Sequence, residues 1–268
     1  PVIALTATAD KITRKDILQQ LKIDSSETFI SSFDRPNLNL TVLPGRKRIQ
    51  YIKEFIDSRP NQAGIIYCLS RKSTESVAEK LQKTGIKAKF YHAGMDSETR
   101  SHVQDEFIKD DIQVICATVA FGMGIDKSNV RFVIHYNLPK NIESFYQEIG
   151  RAGRDGLPAD TVLFYSYADY MMQMDMLKEL PEERKALQHA KLDRIKQYAD
   201  AEICRRRILL SYFNEPNDKD CGNCDVCKNP PTAFDGKIIT QKALSGIARS
   251  NQQVSISLLI DILRAVSY

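Results

Sequence analysis

Over residues 1–170, short apolar runs alternate with segments whose apolar residues recur every three or four positions. The runs predict buried strands, and the recurring pattern predicts helices that each present one apolar face. The predicted strands are 64–69, 86–91, 112–117, 130–136 and 161–166, and the predicted helices are 70–84, 97–109 and 142–151. This alternation indicates an α/β fold with a parallel sheet covered on both faces.

Residues 1–5 form a further apolar run, which predicts a buried strand of a domain that begins upstream of Pro1. In open parallel sheets, ligands bind beyond the carboxyl ends of the strands. We therefore expect the functional residues of this domain in the polar loops that follow its strands.

The pattern changes after residue 170. Residues 171–213 carry only helical signals, and residues 214–233 are rich in Pro, Asp, Asn and Cys and too polar to build a core. Two further helices are predicted at 240–249 and 257–266. The chain is therefore predicted to contain an α/β domain at 1–175, a helical module at 176–233 and the first part of another domain at 234–268.

Composition favours a soluble globular protein, with 43% hydrophobic and 27% charged residues, and no apolar run could span a bilayer. The net charge is +4, and residues 184–207 alone hold eight basic and three acidic side chains. A basic stripe on one helical segment favours a polyanionic partner, and a solvated helix face is the equally weighted alternative.

Six cysteines divide into two groups. Cys68 and Cys116 sit inside apolar runs, where a thiol behaves as a small hydrophobic group. The other four cluster late in the chain and predict a tetrahedral structural zinc site with no position open to water: Cys204, Cys221, Cys224 and Cys227. A redox Cys-x-x-Cys is the competing reading, but the thioredoxin-like setting that it requires is missing.

The strongest chemical motif is residues 147–156, Gln-Glu-Ile-Gly-Arg-Ala-Gly-Arg-Asp-Gly. Arg151 and Arg154 are three positions apart and share one helical face. Arginine is suited to clamping phosphoryl oxygens and to stabilising charge as a γ-phosphate leaves. The glycines allow the backbone to approach a ligand closely.

A second motif is residues 117–126, Ala-Thr-Val-Ala-Phe-Gly-Met-Gly-Ile-Asp, which follows a predicted strand. A strand that opens into a glycine-containing loop exposes N–H groups suited to phosphate oxygens. Thr118 adds a hydroxyl group, and the Asp126 carboxylate could hold a ribose hydroxyl. Alone, such a glycine loop is a weak signal.

Together the two motifs resemble motifs V and VI of superfamily 2 helicases. Their amino-acid sequences are similar to those of the RecQ family in particular. Three other segments also resemble parts of the RecQ family. Residues 4–9 resemble motif III and residues 67–71 resemble motif IV. Residues 91–95 resemble the family's segment after the strand that follows motif IV. The resemblance covers essentially the whole chain. It implies a RecA-like motor domain, then a helical four-cysteine zinc module, then the start of a winged helix.

The resemblance also assigns roles. It implies that Arg154 is the arginine finger, with Arg151 as its companion and Gln147 organising the motif. Gly124 and Asp126 would lie near the nucleotide, whereas Ser70, Arg71 and Thr118 would face the DNA backbone. His92 is a lone histidine after a strand, which is more often structural, so we leave it out of the catalytic set.

The sequence holds no Gly-x-x-x-x-Gly-Lys-Ser/Thr phosphate loop and no acidic Mg²⁺ motif. In the RecQ family these belong to a first motor domain, which we expect upstream of Pro1.

By resemblance, the intact protein is an ATP-dependent DNA helicase of repair and recombination, acting on single-strand/duplex junctions in the bacterial cytosol or nucleoid. This chain alone is expected to be inactive. A non-catalytic zinc protein that binds nucleic acid and a helicase acting on RNA are the alternatives.

Overall fold

A computed structural model describes residues 2–6, 8, 11–24, 27–121, 126–232 and 234–264. The chain divides into two compact units, Pro1–Pro230 and Pro231–Tyr268. The first unit contains a six-stranded sheet of order β1-β6-β5-β2-β4-β3 in which every described pairing is parallel. The strands are β1 Leu38–Pro44, β2 Gly64–Tyr67, β3 Ala88–Tyr91, β4 Val114–Ala117, β5 Phe132–His135 and β6 Ala159–Tyr165.

Helices cover the sheet on both faces, as the alternating pattern predicted. Those of the first unit are α1 Lys11–Leu21, α2 Arg48–Asp57, α3 Arg71–Gln82, α4 Ser97–Ile108, α5 Ile142–Ile149, α6 Tyr167–Leu177, α7 Glu182–Asp200, α8 Arg205–Tyr212 and α9 Asp225–Lys228. Buried residues of α2 and α3 pack on one face of the sheet, and those of α4, α5 and α7 pack on the other. The α/β prediction is confirmed.

The central strands were the most predictable elements because both of their faces are covered. All four residues of β2, β4 and β5 are buried, so each strand reads as a continuous apolar run. Ile65 contributes to one hydrophobic layer, and its neighbour Ile66 contributes to the other. Each of the five predicted strands exists, with its ends shifted by a few residues at most.

The expectation for residues 1–5 is wrong in the part of the chain that the structure describes. Residues 2–6 form no strand, and Val2, Ile3 and Leu5 are 64%, 84% and 92% exposed. A buried strand needs a neighbouring strand to pair with and a layer to cover it. The six strands that the structure describes do not include such a partner for these residues.

The second unit contains the helices α10 Lys237–Arg249 and α11 Ile256–Leu263. The two helices contact one another, and a Cβ atom placed on Gly246 of α10 would lie 3.1 Å from Leu259 of α11. Both predicted helices therefore exist in the described residues: α10 begins three residues before the predicted start and ends where predicted, and α11 covers most of its predicted range. The winged helix itself stays a prediction, as do the three domain boundaries. Among the described helices, none is long and apolar enough to cross a membrane.

Candidate functional site

The loop that carries the two arginines, residues 150–156, lies at the amino-terminal edge of the sheet. The Gly153 amide donates to the Val130 carbonyl just before β5, at 2.9 Å, and the chain continues from the loop into β6. We expected functional loops at the carboxyl edge, and for this loop the expectation is wrong. The reason is that α5 begins beyond the carboxyl end of β5 and runs back along the sheet, so the residues that follow it reach the opposite edge.

This edge brings together two predicted nucleotide residues from separate motifs. The Arg154 guanidinium lies 4.0 Å from the Asp126 carboxylate, and the two side chains are 37% and 97% exposed. Arg151 is half-buried in the turn that follows α5. The prediction that Arg151 and Arg154 share one helical face is therefore wrong, because the helix ends at Ile149 and the chain turns at Gly153. Gly124 lies outside the described residues. The structure thus places a cationic group and an exposed carboxylate side by side, which is suited to a nucleotide approaching from solvent.

Gln147 connects the arginine motif to the amino-terminal segment. Its Nε2 donates to the Thr8 hydroxyl oxygen at 2.6 Å, across 139 residues of sequence. Thr8 belongs to the segment that resembles motif III, of which residues 7 and 9 lie outside the description. The contact brings two motifs together that are far apart in the chain.

The arginine loop is fixed by its own backbone and by a salt bridge. Gly153 has φ +57°, and a Cβ atom there would lie 2.8 Å from the Leu157 carbonyl oxygen, so glycine is required at this position. Arg131 clamps Asp155 through two contacts of 2.6 and 2.7 Å. These hydrogen bonds from Arg131 hold the pKa of the Asp155 carboxyl below its usual range.

Beneath the loop lies a buried polar pair that the sequence did not reveal. His135 Nε2 lies 2.6 Å from Glu148 Oε2, and both side chains are more than nine-tenths buried. Tyr67 stacks on His135 and donates to the Phe121 carbonyl at 3.0 Å. Burial raises the pKa of Tyr67, and nearby Arg151 offsets part of that rise. Glu148 thus anchors α5 to β5 three residues before Arg151.

The three predicted DNA residues lie at the opposite, carboxyl edge of the sheet, after β2 and β4. Ser70 and Arg71 are exposed, and Thr118 is half-buried. Ser70 also caps α3, because its hydroxyl accepts from the Ser73 amide at 3.1 Å. The Arg71 guanidinium packs against Gly94, where a Cβ atom would lie 2.9 Å from Nη1. The absence of a side chain at Gly94 lets the Arg71 guanidinium lie against the backbone while Arg71 stays exposed to a polyanion.

His92 is structural, as expected. It is 5% exposed, its Nε2 lies 2.9 Å from Glu75 Oε1, and its Nδ1 accepts from the Gly94 amide at 3.2 Å. Both ring nitrogens are therefore occupied by contacts that hold the loop after β3.

Four thiols converge in the first unit. The Sγ atoms of Cys204, Cys221, Cys224 and Cys227 all lie within 4.8 Å of one another. Cys221 and Cys227 have their Sγ atoms 3.9 Å apart, close to the roughly 3.8 Å edge of a zinc–thiolate tetrahedron built from 2.3 Å bonds. Backbone amides of Cys221, Asn223 and Cys227 each donate to a cluster sulfur at 3.4 Å. Such donors stabilise thiolates, and the donor set fits Zn²⁺.

The chain around the thiols has almost no core of its own. Within 214–232, Cys224 is the single buried residue. Its backbone forms an isolated parallel bridge with Leu40 of β1, and the Val42 amide donates to Asp225 Oδ2 at 3.0 Å. The zinc module therefore docks on the edge strand of the sheet.

The basic stripe does not form one solvent-facing surface. It divides between α7 and α8, and Arg205 and Arg206 are 5% and 8% exposed. Arg205 makes a two-point contact with Asp225, at 3.0 and 3.1 Å. Arg206 pairs with Asp34 at 3.2 Å, and Arg207 pairs with Asp220 at 3.1 Å. For Arg205 and Arg206 the reading as a polyanion site is wrong, because both are buried and hold parts of the first unit together. For Arg207, whose side chain is 38% exposed, it stays a prediction.

Cys68 and Cys116 behave as the small hydrophobic groups that we predicted. They are 5% and 0% exposed on the sheet. Burial raises the pKa of the Cys68 thiol to about 12 and raises that of Cys116 well above its ordinary value. Neither is suited to thiolate chemistry.

Two family models match this chain in consecutive segments. The helicase conserved C-terminal domain matches residues 47–156, which include β2 to β5 and the arginine loop. The RecQ zinc-binding family matches residues 167–228, which include all four clustered cysteines.

Curated relatives match over nearly the whole chain. The ATP-dependent DNA helicase RecQ of Pasteurella multocida is 47% identical over 100% of this chain, and that of Haemophilus influenzae is 47% identical over 99%. The chain spans only 42% and 43% of the length of these two proteins. Among solved structures, Saccharomyces cerevisiae Dbp5 bound to RNA and ADP BeF3 has a TM-score of 0.54 at 15% identity, covering 71% of this chain and 54% of that one. The Dbp5 likeness supports the fold alone.

Proposed function

Since this chain belongs to the RecQ family, whose helicase core it matches in its C-terminal part, we propose that the intact protein separates DNA strands using ATP hydrolysis. In this proposal, residues 1–175 form the second RecA-like motor domain and 176–233 the zinc module. Residues 234–268 begin a winged helix. The first motor domain, with the phosphate loop, is the partner that binds ATP and Mg²⁺.

One observation carries the proposal: Arg154 and Asp126 lie 4.0 Å apart on one exposed edge. Facing a nucleotide held by the first motor domain, the Arg154 guanidinium would stabilise the charge that develops as the γ-phosphate leaves. Arg151 would contact the phosphates beside it. Asp126 and Gly124 would contact the nucleotide, and Gln147 would link the site to the segment around Thr8.

The alternatives fit the site less well. A zinc protein that only binds nucleic acid has no need for a glycine-hinged arginine loop braced by Arg131. An RNA helicase would share the motor fold, but the zinc module that follows it favours DNA, because the matching zinc family is that of RecQ. Roles in repair and recombination, at single-strand/duplex junctions and in the bacterial cytosol or nucleoid, belong to the same proposal.

Strand separation by the intact protein is the experiment that tests this function. On a fluorescently labelled duplex with a single-stranded tail, we expect strands to separate only when ATP and Mg²⁺ are present. A non-hydrolysable ATP analogue and the 268-residue chain alone are the two controls, and neither should release the labelled strand. Equal release by the intact protein with the analogue would refute a helicase driven by hydrolysis.

Arg71 is the DNA contact that can be tested most cleanly, because it is exposed and its helix also carries exposed Lys80 as a matched control. We expect Arg71→Ala to weaken binding of single-stranded DNA and to reduce the slope of log K against log salt by about 0.7, the value for one lost phosphate contact. Lys80→Ala should change neither quantity. Fluorescence anisotropy over a salt series measures both, and an unchanged slope in Arg71→Ala would remove this residue from the DNA interface.

A further inference from the structure

We propose that residues 34–37, here called the strap, position the arginine loop and couple it to the zinc module. The strap lies between α1 and β1 and leads directly into β1. The inference rests on the proposed ATPase function and deepens it, since it assigns Arg35 and Asn37 as positioning residues for Arg154. Neither follows a predicted strand or belongs to a recognisable motif, so sequence reasoning missed both.

The strap holds the arginine loop through its backbone. Arg35 Nη2 donates to the carbonyl oxygens of Ala152 and Gly153 at 3.1 and 2.9 Å. Asn37 Nδ2 donates to Gly153 and Leu157 at 2.9 Å each. These four hydrogen bonds fix carbonyl groups immediately before Arg154 and three residues after it.

Gly153 and Asn37 are sterically matched. A Cβ atom on Gly153 would lie 2.4 Å from Asn37 Nδ2, so the amide occupies the space that any side chain would need. The strap can therefore lie directly against this left-handed turn only because residue 153 is glycine. This close fit fixes the direction in which the next residue, Arg154, leaves the backbone.

The zinc module holds the other side of the strap. Arg206 Nη2, on α8, donates to the carbonyl oxygens of Arg35 and Leu38 at 3.0 and 2.7 Å. Arg206 Nε also lies 3.2 Å from the Asp34 carboxylate. Arg206 is more than nine-tenths buried and directly follows Arg205, which clamps Asp225 beside the zinc ligand Cys224. A continuous set of contacts thus runs from the thiol cluster through the strap to the arginine loop.

The alignment of Arg154 is expected to affect the rate of ATP hydrolysis more than the affinity for ATP. An arginine that acts only on the transition state must be aligned closely, and a displacement of about 1 Å can cost 100-fold in rate. Ground-state ATP affinity, set by the phosphate loop of the first motor domain, is insensitive to it. Loss of a strap contact is therefore expected to lower kcat and leave KM unchanged.

Asn37→Ala in the intact protein is the test, and Asn39→Ala is its matched control. Asn39 lies two residues further on, but its amide donates to Asp160 at 2.8 Å, outside the arginine loop. We expect Asn37→Ala to lower the kcat of DNA-stimulated ATP hydrolysis about 10- to 100-fold, with KM for ATP changed less than about twofold. Zinc content should be unchanged. Amide hydrogen exchange of residues 151–157 should become faster in Asn37→Ala and not in Asn39→Ala.

The coupling to zinc is tested by a double-mutant cycle between Asn37→Ala and Arg206→Lys. If the contacts form one chain, the two losses in kcat should be strongly non-additive.

An Asn37→Ala protein with wild-type kcat and wild-type hydrogen exchange would show that the strap does not position the arginine loop. If Asn37→Ala fails to fold, Asn37→Asp, which keeps the shape and removes the donor, decides the same question. If the wild-type protein hydrolyses no ATP, the proposed function fails, and hydrogen exchange still decides whether the strap holds the loop.

Discussion

Replacing Arg154 by alanine in the intact protein is expected to leave ATP binding nearly unchanged and to slow hydrolysis by about 10³-fold or more. The phosphate loop of the first motor domain would hold the ground state, whereas Arg154 would act on charge that appears only in the transition state. Strand separation should disappear with hydrolysis. Steady-state kcat and KM with saturating single-stranded DNA measure the effect, and filter or fluorescence binding of nucleotide measures affinity.

Two further variants make the assignment of Arg154 specific. Arg154→Lys should not restore hydrolysis, because an ammonium group cannot reproduce the planar two-point contact of guanidinium. Asp126→Ala should mainly weaken nucleotide affinity, although its carboxylate lies only 4.0 Å from Arg154. If Arg154→Ala raises KM for ATP while kcat keeps its wild-type value, Arg154 is a binding residue and Arg151 becomes the candidate finger.

Replacing Cys224 by serine is expected to remove the metal and unfold residues 214–232 while the sheet stays folded. Cys224 is the single buried residue within 214–232, so this segment has no apolar core to replace the metal. Structural zinc contributes on the order of 10 kcal/mol to the folding of small modules. Metal analysis should find about one zinc per wild-type chain, the number that a closed four-thiolate site holds, and almost none in the variant. Limited proteolysis should cut within 214–232.

Cys116→Ala is the matched control, since Cys116 is fully buried but lies in β4, away from the thiol cluster. It should keep its zinc and its resistance to protease at 214–232. Because Arg206 connects the module to the strap, Cys224→Ser should also lower the kcat of the intact protein. A wild-type protein without zinc, or a Cys224→Ser protein that keeps it, would contradict the site.

Particular elements show how far the fold can be predicted from sequence. Residues 64–69 and 112–117 predicted strands correctly because central parallel strands are buried on both faces and read as unbroken apolar runs. β1 was missed because the prediction rested on unbroken apolar runs, whereas in this edge strand buried Leu38 and Leu40 alternate with half-buried Asn39 and Thr41, a period of two that is typical of a half-buried strand. The prediction for the apolar run 1–5 was wrong because an apolar pattern indicates that a segment can be buried as a strand. It does not show whether a neighbouring strand is present to pair with it.

The site was predictable where spacing alone determines chemistry. Four cysteines with metal-ligand spacing do converge within 4.8 Å. The roles of Arg154 and Asp126, which lie 4.0 Å apart, came from the family resemblance and stay predictions. Tertiary pairing was not predictable: Arg205 and Arg206 look like surface charge in sequence, but their acidic partners Asp225 and Asp34 lie in other segments. For the same reason neither the buried His135–Glu148 pair nor the donors of Arg35 and Asn37 could be found without the fold.

Single-turnover hydrolysis of ATP already bound to the intact protein is the sharpest test of Arg154 as the arginine finger, because it isolates the chemical step from binding and product release. With single-stranded DNA present, we expect Arg154→Ala to bind ATP as the wild-type protein does and to consume it about 10³-fold more slowly. Consumption of bound ATP at the wild-type rate by Arg154→Ala would show that Arg154 is not the arginine finger and would leave Arg151 as the candidate.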